Sequence, residues 1–314
     1  MCGFVGFVGG TDNQSEVLTK MMDRIVHRGP DMGGQFIDGR VALGFRRLSI
    51  LDLTEAGAQP MANEDGSVVI VFNGEIYNFQ ELRSELEAKG YKFHCGADTE
   101  SLLHGYEEWG EAVLDRLRGM YAFVIWDKKK NKLFGARDIF GIKPLYYYPM
   151  ADAGDGAPGV LFGSEIKSFL DYPHFHKAVN KKALRPYMTL QYSATEETFF
   201  EGVYKLPPAH YFTVDIPTGK MNIERYWDCD YSAVEKPFEE YVDELDEVVH
   251  ESVEAHRIAD VKVASSPVAS TPATSPLASC PTRPSRWALT TRTLTRPTTP
   301  RSFPISSASR TSAR

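Results

Sequence analysis

Residues 1–9, Met1-Cys2-Gly3-Phe4-Val5-Gly6-Phe7-Val8-Gly9, decide how the rest of the chain is read. The run 3–9 is apolar and broken only by glycine. That predicts a short buried strand, with glycines where another backbone or a ligand comes close. Cys2 stands directly before it. A small second residue permits removal of the initiator methionine, which would leave Cys2 with both a thiol and a free α-amine. A thiol titrates near ~8.5 and an α-amine near ~7.7–8.0, so both are close to working pH. The amine, through a water, can take the thiol proton, and the thiolate can then attack a carbonyl. The alternative is that Cys2 is simply a small strand residue. His27 is a conceivable Cys–His partner, although a histidine beside a turn is more often structural.

Working outward, residues 15–27 have helical apolar spacing, with Ser15 as the expected N-cap. A polar turn follows, His27-Arg28-Gly29-Pro30-Asp31. Val41–Phe45 reads as a strand. Val68–Phe72 is continuously apolar, as in a sheet covered on both faces. Helices are expected at 79–89, from Asp98 (its N-cap) to Trp109, and at 111–117. Residues 120–127 and 132–137 alternate like a hairpin, and 139–148 and 160–164 continue the strands. Residues 150–159 form a Gly/Ala/Asp loop, with short helices at 165–169 and 181–188. Residues 201–206 and 210–215 look like a closing hairpin. Strands thus dominate the middle and helices come in groups, which suggests two packed sheets with helices outside. Residues 2–215 are expected to form one domain and 216–235 a linker. Residues 236–263 open a second α/β domain with an amphipathic helix at 236–258.

The composition breaks after that. Residues 264–314 hold seven arginines and no acidic residue, against −7 for the whole chain, so the first 263 residues carry −14. This Ser/Thr/Pro-rich segment has no hydrophobic period and reads as disordered. The acidic remainder argues against a nucleic-acid surface. The four cysteines, Cys2, Cys95, Cys229 and Cys280, are scattered, with no metal-ligand spacing and no disulfide framework. No metal is expected. No apolar run is long enough to span a bilayer, so a cytoplasmic location is expected and no membrane partner.

Attack by Cys2 on an amide needs an oxyanion site and a grip on the substrate. Asn73-Gly74, expected at a strand end, offers a side-chain amide and an unobstructed backbone N–H. Arg47 suits a carboxylate. Glu75 and Asp98 suit an ammonium group. A carboxylate clamp and an ammonium clamp around an amide describe L-glutamine.

These residues carry a resemblance. Cys2, His27-Arg28-Gly29-Pro30-Asp31, Arg47-Leu48-Ser49-Ile50, Asn73-Gly74-Glu75-Ile76-Tyr77-Asn78 and Asp98-Thr99-Glu100 occur in that order. They are followed by Arg137-Asp138, Gly141-Ile142-Lys143-Pro144-Leu145-Tyr146-Tyr147 and Ser164-Glu165-Ile166-Lys167. As a set, running to about residue 263, they resemble the glutamine-hydrolysing asparagine synthetases. The resemblance implies an α+β fold, the four-layer αββα sandwich of the N-terminal-nucleophile hydrolases. It implies Cys2 as nucleophile, and Asn73 and Gly74 as the oxyanion hole. Arg47, helped by backbone near Ile50 and Leu51, would hold the α-carboxylate, and Glu75 and Asp98 the α-amine. Arg137-Asp138 would be a structural or interdomain ion pair rather than a catalytic one. No cofactor is implied for this half. ATP, magnesium and aspartate belong to the family's second domain, and a homodimer is common.

That second domain is marked by a Ser-Gly-Gly-Val-Asp-Ser-type loop, which does not appear after Ala259-Asp260-Val261. Residues 264–276 can be back-translated so that a shifted frame reads Phe-Leu-Ser-Gly-Gly-Val-Asp-Ser-Ser-Tyr-Leu-Ala. An out-of-frame tail is therefore expected. Two other readings remain at this level: a non-catalytic, poorly stable fragment, and a different amidotransferase with a basic regulatory tail.

Overall fold

The computed structural model describes residues 1–261, apart from Ala194 and Ala233. The expected tail at 264–314 lies outside the described residues. The chain begins with β1 (Gly3–Val8), helix α1 (Gln14–Asp23), β2 (Met32–Asp38) and β3 (Val41–Arg47). It continues through β4 (Met61–Ala62), β5 (Val68–Ile76), α2 (Phe79–Ala88), α3 (Asp98–Trp109), β6 (Gly119–Asp127) and β7 (Lys132–Arg137). Then come β8 (Tyr146–Met150), β9 (Gly159–Gly163), α4 (Lys181–Leu190), β10 (Tyr204–Lys205), β11 (His210–Asp215), β12 (Met221–Arg225) and α5 (Phe238–Ala255).

Two six-stranded sheets result. Their orders are β10-β8-β9-β1-β3-β2 and β12-β11-β7-β6-β5-β4, and their ladders are antiparallel. Side-chain alternation sorts the core into layers. Phe4, Val8, Leu43, Phe45, Val69, Val71, Val124, Phe162 and Phe212 fill the space between the sheets. Val5 and Phe7, on the other face of β1, pack on α1. Ile70 and Phe72, on the other face of β5, pack with Leu102, Leu103 and Tyr106 of α3. The result is the expected four layers, αββα. Gly6 shares the inner face of β1, where a Cβ would stand 2.4 Å from the Phe162 ring. The glycine therefore makes room for the aromatic ring of the next strand.

Several expectations change. Residues 201–206 and 210–215 do not form a hairpin: β10 joins β8 in one sheet and β11 joins β7 in the other. The segment expected as linker contains β12, paired with β11, and Tyr226 Oη donates to Arg137 O at 2.7 Å. Hydrophobic pattern alone missed β12 because its exposed residues alternate weakly. It missed β2 because of its glycine pair. Helix α1 starts one residue before Ser15, after Asn13 in the left-handed region (φ 56°). Ala97, rather than Asp98, caps α3. Residues 110–116 and 166–171 are 3-10 turns. The helix expected at 236–258 is α5, with no buried residue; Phe238, Leu245, Val248 and Val249 are exposed. No described helix is long and apolar enough to cross a membrane.

The pair Arg137-Asp138 is structural, but it is no ion pair. Asp138 Oδ1 accepts from Phe140 and Ile142 N–H, and Oδ2 from Lys143 and Tyr121 N–H. Arg137 donates to the carbonyls of Lys143, Leu206 and Gly141. Together they freeze loop 138–143. An Asp138→Ala variant leaves four inward N–H groups without that acceptor, and we expect roughly 2–4 kcal/mol of destabilisation. Thermal unfolding should show a Tm lower by roughly 5–10 °C; an unchanged Tm would contradict this account.

Candidate active site

The alternation that builds the core also builds the site. On β1, Phe4, Gly6 and Val8 face inward, so Cys2 continues that face at the end of the strand, and it packs against the inter-sheet core. On β3, Val41, Leu43 and Phe45 face inward, so Arg47 does too. On β5, Val69 and Val71 face inward, and Asn73 continues them from the opposite sheet. Two sheets thus end in polar residues at one mouth of the sandwich. One pocket there is lined by Cys2, Arg47, Ile50, Leu51, Asn73, Gly74, Glu75 and Asp98. All eight residues singled out in the sequence meet in it.

The Cys2 thiol lies between the N–H and the carbonyl of Leu48, each 3.4 Å from Sγ. Burial pushes its pKa up; the Leu48 N–H, the terminal ammonium and Arg47 offset part of this. Burial lowers the terminal amine of Met1, and the cations Arg28 and Lys143 push the same way. Met1 itself stands at the pocket wall.

Asn73 is 1% exposed, and its Nδ2 has no hydrogen-bond partner among the described residues. A buried amide donor without an acceptor is costly unless a ligand completes it. Gly74 lies inside β5, not at a strand end. Its neighbours Phe72 and Ile76 donate N–H away from β6, to Gln59 Oε1 at 2.6 Å and Asp98 Oδ2 at 2.8 Å. Tyr77 donates toward β6, to Arg118 O. The alternation therefore aims the Gly74 N–H between Gln59 and Asp98, into the pocket. A Cβ on Gly74 would stand 2.3 Å from Met120 O, so no larger residue fits this register. Asn73 and Gly74 thus line the same pocket as the Cys2 thiol.

Arg47 is buried and donates to the carbonyls of Thr54, Leu51 and Asp52. It braces the 48–54 loop while contributing to the pocket wall. Ile50 O accepts from Asp260 N at 3.0 Å, and Asp52 N donates to Asp260 Oδ2 at 2.7 Å. The segment after α5 therefore grips the loop from behind. Across the pocket, burial pushes the Asp98 carboxyl up to about 7, with nearby Glu75 adding to the effect and the Ile76 N–H opposing it. Burial also raises Glu75, while Lys143 and His256 pull it back. Two carboxyls whose charged forms are both disfavoured would be completed by a cation between them.

Sequence reasoning missed Lys143, Gln59 and Arg28. Lys143 is buried at the pocket wall, its pKa lowered by burial and partly restored by Glu75. Gln59 ties Phe72 N–H to Thr99. Arg28 donates Nε to Cys2 O at 2.9 Å and pairs with Glu165 at 3.1 Å. The motifs holding Arg28 and Lys143 were visible and Gln59 lay in none, but nothing in their spacing pointed at the pocket. His27 forms no pair with Cys2; its Nε2 lies 2.9 Å from Glu165.

Residues 1–227 match the family described as a glutamine amidotransferase domain. The chain belongs to that family. It is 43% identical over 270 residues to asparagine synthetase (glutamine-hydrolyzing) 1 of Bacillus subtilis, a match covering 84% of this chain and 41% of that protein. It is 35% identical over 271 residues to asparagine synthetase (glutamine-hydrolyzing) 3 of the same organism, covering 84% and 43%. The amidotransferase chain thus spans about two-fifths of the length of these relatives. The solved glutamine phosphoribosylpyrophosphate amidotransferase of B. subtilis superposes with a TM-score of 0.51 at 20% identity, over 71% of this chain and 49% of that one. That likeness concerns the fold, and it agrees with the sandwich of the N-terminal-nucleophile hydrolases.

With Met1 in place, the recessed Cys2 thiol of this amidotransferase domain should alkylate more slowly than the exposed Cys229. Peptide mass spectrometry after limited iodoacetamide treatment measures the order; modification of Cys2 first would overturn this description of its surroundings.

Proposed function

We propose that the chain hydrolyses L-glutamine to glutamate and ammonia, with Cys2 as nucleophile after removal of Met1. What supports this reading most directly is the orphaned Asn73 Nδ2 beside the inward Gly74 N–H, both facing the pocket that holds the thiol. Arg47 and the backbone at Ile50 and Leu51 would receive the α-carboxylate. Glu75 and Asp98 would receive the α-ammonium. The side-chain amide then lies toward Cys2.

The freed α-amine takes the Sγ proton through a water, and the thiolate forms a bond to the amide carbon. The oxygen gains the charge and is held by Asn73 Nδ2 and Gly74 N–H. The intermediate collapses as the C–N bond breaks, and the α-ammonium returns its proton to the leaving ammonia. Water then cleaves the thioester and releases glutamate. In longer relatives the resemblance assigns the ammonia to ATP-dependent amidation of aspartate in a second domain. ATP, magnesium and aspartate would be partners of that part, and a cytoplasmic homodimer the setting.

A second reading, a non-catalytic fragment, is favoured by α5, whose apolar residues Phe238, Leu245, Val248 and Val249 lie exposed. Soluble expression and an ammonia-release assay separate the two. On the first reading, Cys2→Ala abolishes ammonia release. Asn73→Ala lowers kcat by about 10²–10³ with little change in KM. Asp98→Asn acts the other way, raising KM by about tenfold or more through loss of a charged contact. Intact-mass analysis should find the mature chain beginning at Cys2. An active chain that retains Met1 would refute the proposed base.

A further inference from the structure

Helix α3 carries Asp98 toward the glutamine pocket and a second set of polar side chains away from it. Glu100, His104 and Glu107 follow one another at helical spacing on that other side. The His104 side chain is 1% exposed. Its Nδ1 lies 2.8 Å from Glu107 Oε2, and Glu107 Oε1 in turn accepts from Asn63 Nδ2 at 2.6 Å. Tyr91 and Phe93 pack against the imidazole, with ring centroids at 5.2 and 5.0 Å. The ring is therefore fixed, with the Nδ1–H committed to Glu107. Its Nε2 has no hydrogen-bond partner among the described residues. The His104 side chain, with Glu64, His94 and Glu100, lines a cleft of about 320 Å³.

The nearest carboxylate oxygens to Nε2 are Glu64 Oε1 at 3.8 Å and Glu100 Oε1 at 4.0 Å. These distances are too long for a hydrogen bond. They fit ligands that share an ion, because donors each about 2.0–2.2 Å from one metal stand roughly 3–4 Å apart. One ligand atom each of Glu64, His104 and Glu107 lies within 4.8 Å of the others. Among the described residues, no lysine or arginine pairs with Glu64, Glu100 or Glu107. Three carboxylates thus crowd one imidazole without a cation, and the Glu107–His104 contact is the kind that orients a metal-binding histidine.

We propose that this cleft binds one divalent transition-metal ion, with His104 Nε2 and Glu64 as protein ligands and Glu107 orienting the imidazole. His94 lines the same cleft, its Nδ1 3.3 Å from Glu100. An imidazole with carboxylates suits zinc or cobalt over magnesium or calcium. The ion would tie the turn after β4 to α3. The assignment is independent of the glutaminase reading.

The test uses the full, untagged chain carrying Cys2→Ala, so that the N-terminal thiol takes no metal. Zn²⁺ is titrated by calorimetry and Co²⁺ by its visible d–d absorption. One equivalent of each is expected. Glu64→Gln, at a half-exposed position outside the core, should weaken binding by about tenfold or more, with an unchanged Tm of the metal-free protein. His104→Asn should remove the cobalt band. If the folded parent binds no stoichiometric zinc, or if Glu64→Gln binds as tightly as the parent, the proposal is wrong. Displacement of zinc by millimolar Ca²⁺ would overturn the choice of metal class.

Discussion

Everything at the pocket depends on which way three strands point their side chains between two sheets. The inner faces of β1, β3 and β5 are held by Phe4, Val8, Leu43, Phe45, Val69 and Val71, all essentially without solvent contact. A slip of one residue in any of these ladders would turn its whole inner face outward. Cys2, Arg47 and Asn73 each extend one of those faces by two residues. The hydrophobic layer therefore sets their direction, and the chemistry inherits its geometry from packing.

A second constraint is electrostatic. The pocket collects Cys2, Glu75, Asp98, Arg47 and Lys143. Burial disfavours four of those charges: the thiol and both carboxyls are shifted up, and Lys143 is shifted down. Such a site is poised for a ligand with charges of both signs, whose arrival replaces lost hydration with partners. Arg47 and Asp138 show how rigidity is supplied, since each spends its polar atoms on backbone groups of a loop beside the pocket.

Much of this was legible in the sequence. The strand at 3–9, the apolar run at 68–72 and the helices at 79–89 and 98–109 declared themselves by period and length. The eight site residues could be chosen because each is a residue type that amide chemistry needs. What escaped depended on long-range pairing. Met221–Arg225 became a strand only because β11 offered it an edge. Asp98 could not be separated from an ordinary helix cap until Ile76 N–H was placed beside it. Lys143 lies five residues beyond Asp138, whose carboxylate fixes the loop, and no local pattern says where that loop ends.

The grip of Asp260 on residues 50–52 makes the pocket sensitive to the chain downstream of α5. The backbone at Ile50 and Asp52 is held by two bonds from a residue more than two hundred positions away in sequence. Pulling that downstream strap away would strip the loop of both anchors on its outer side. The wall of the pocket is therefore tensioned from the far end of the described chain, like a tent wall held by a distant guy line.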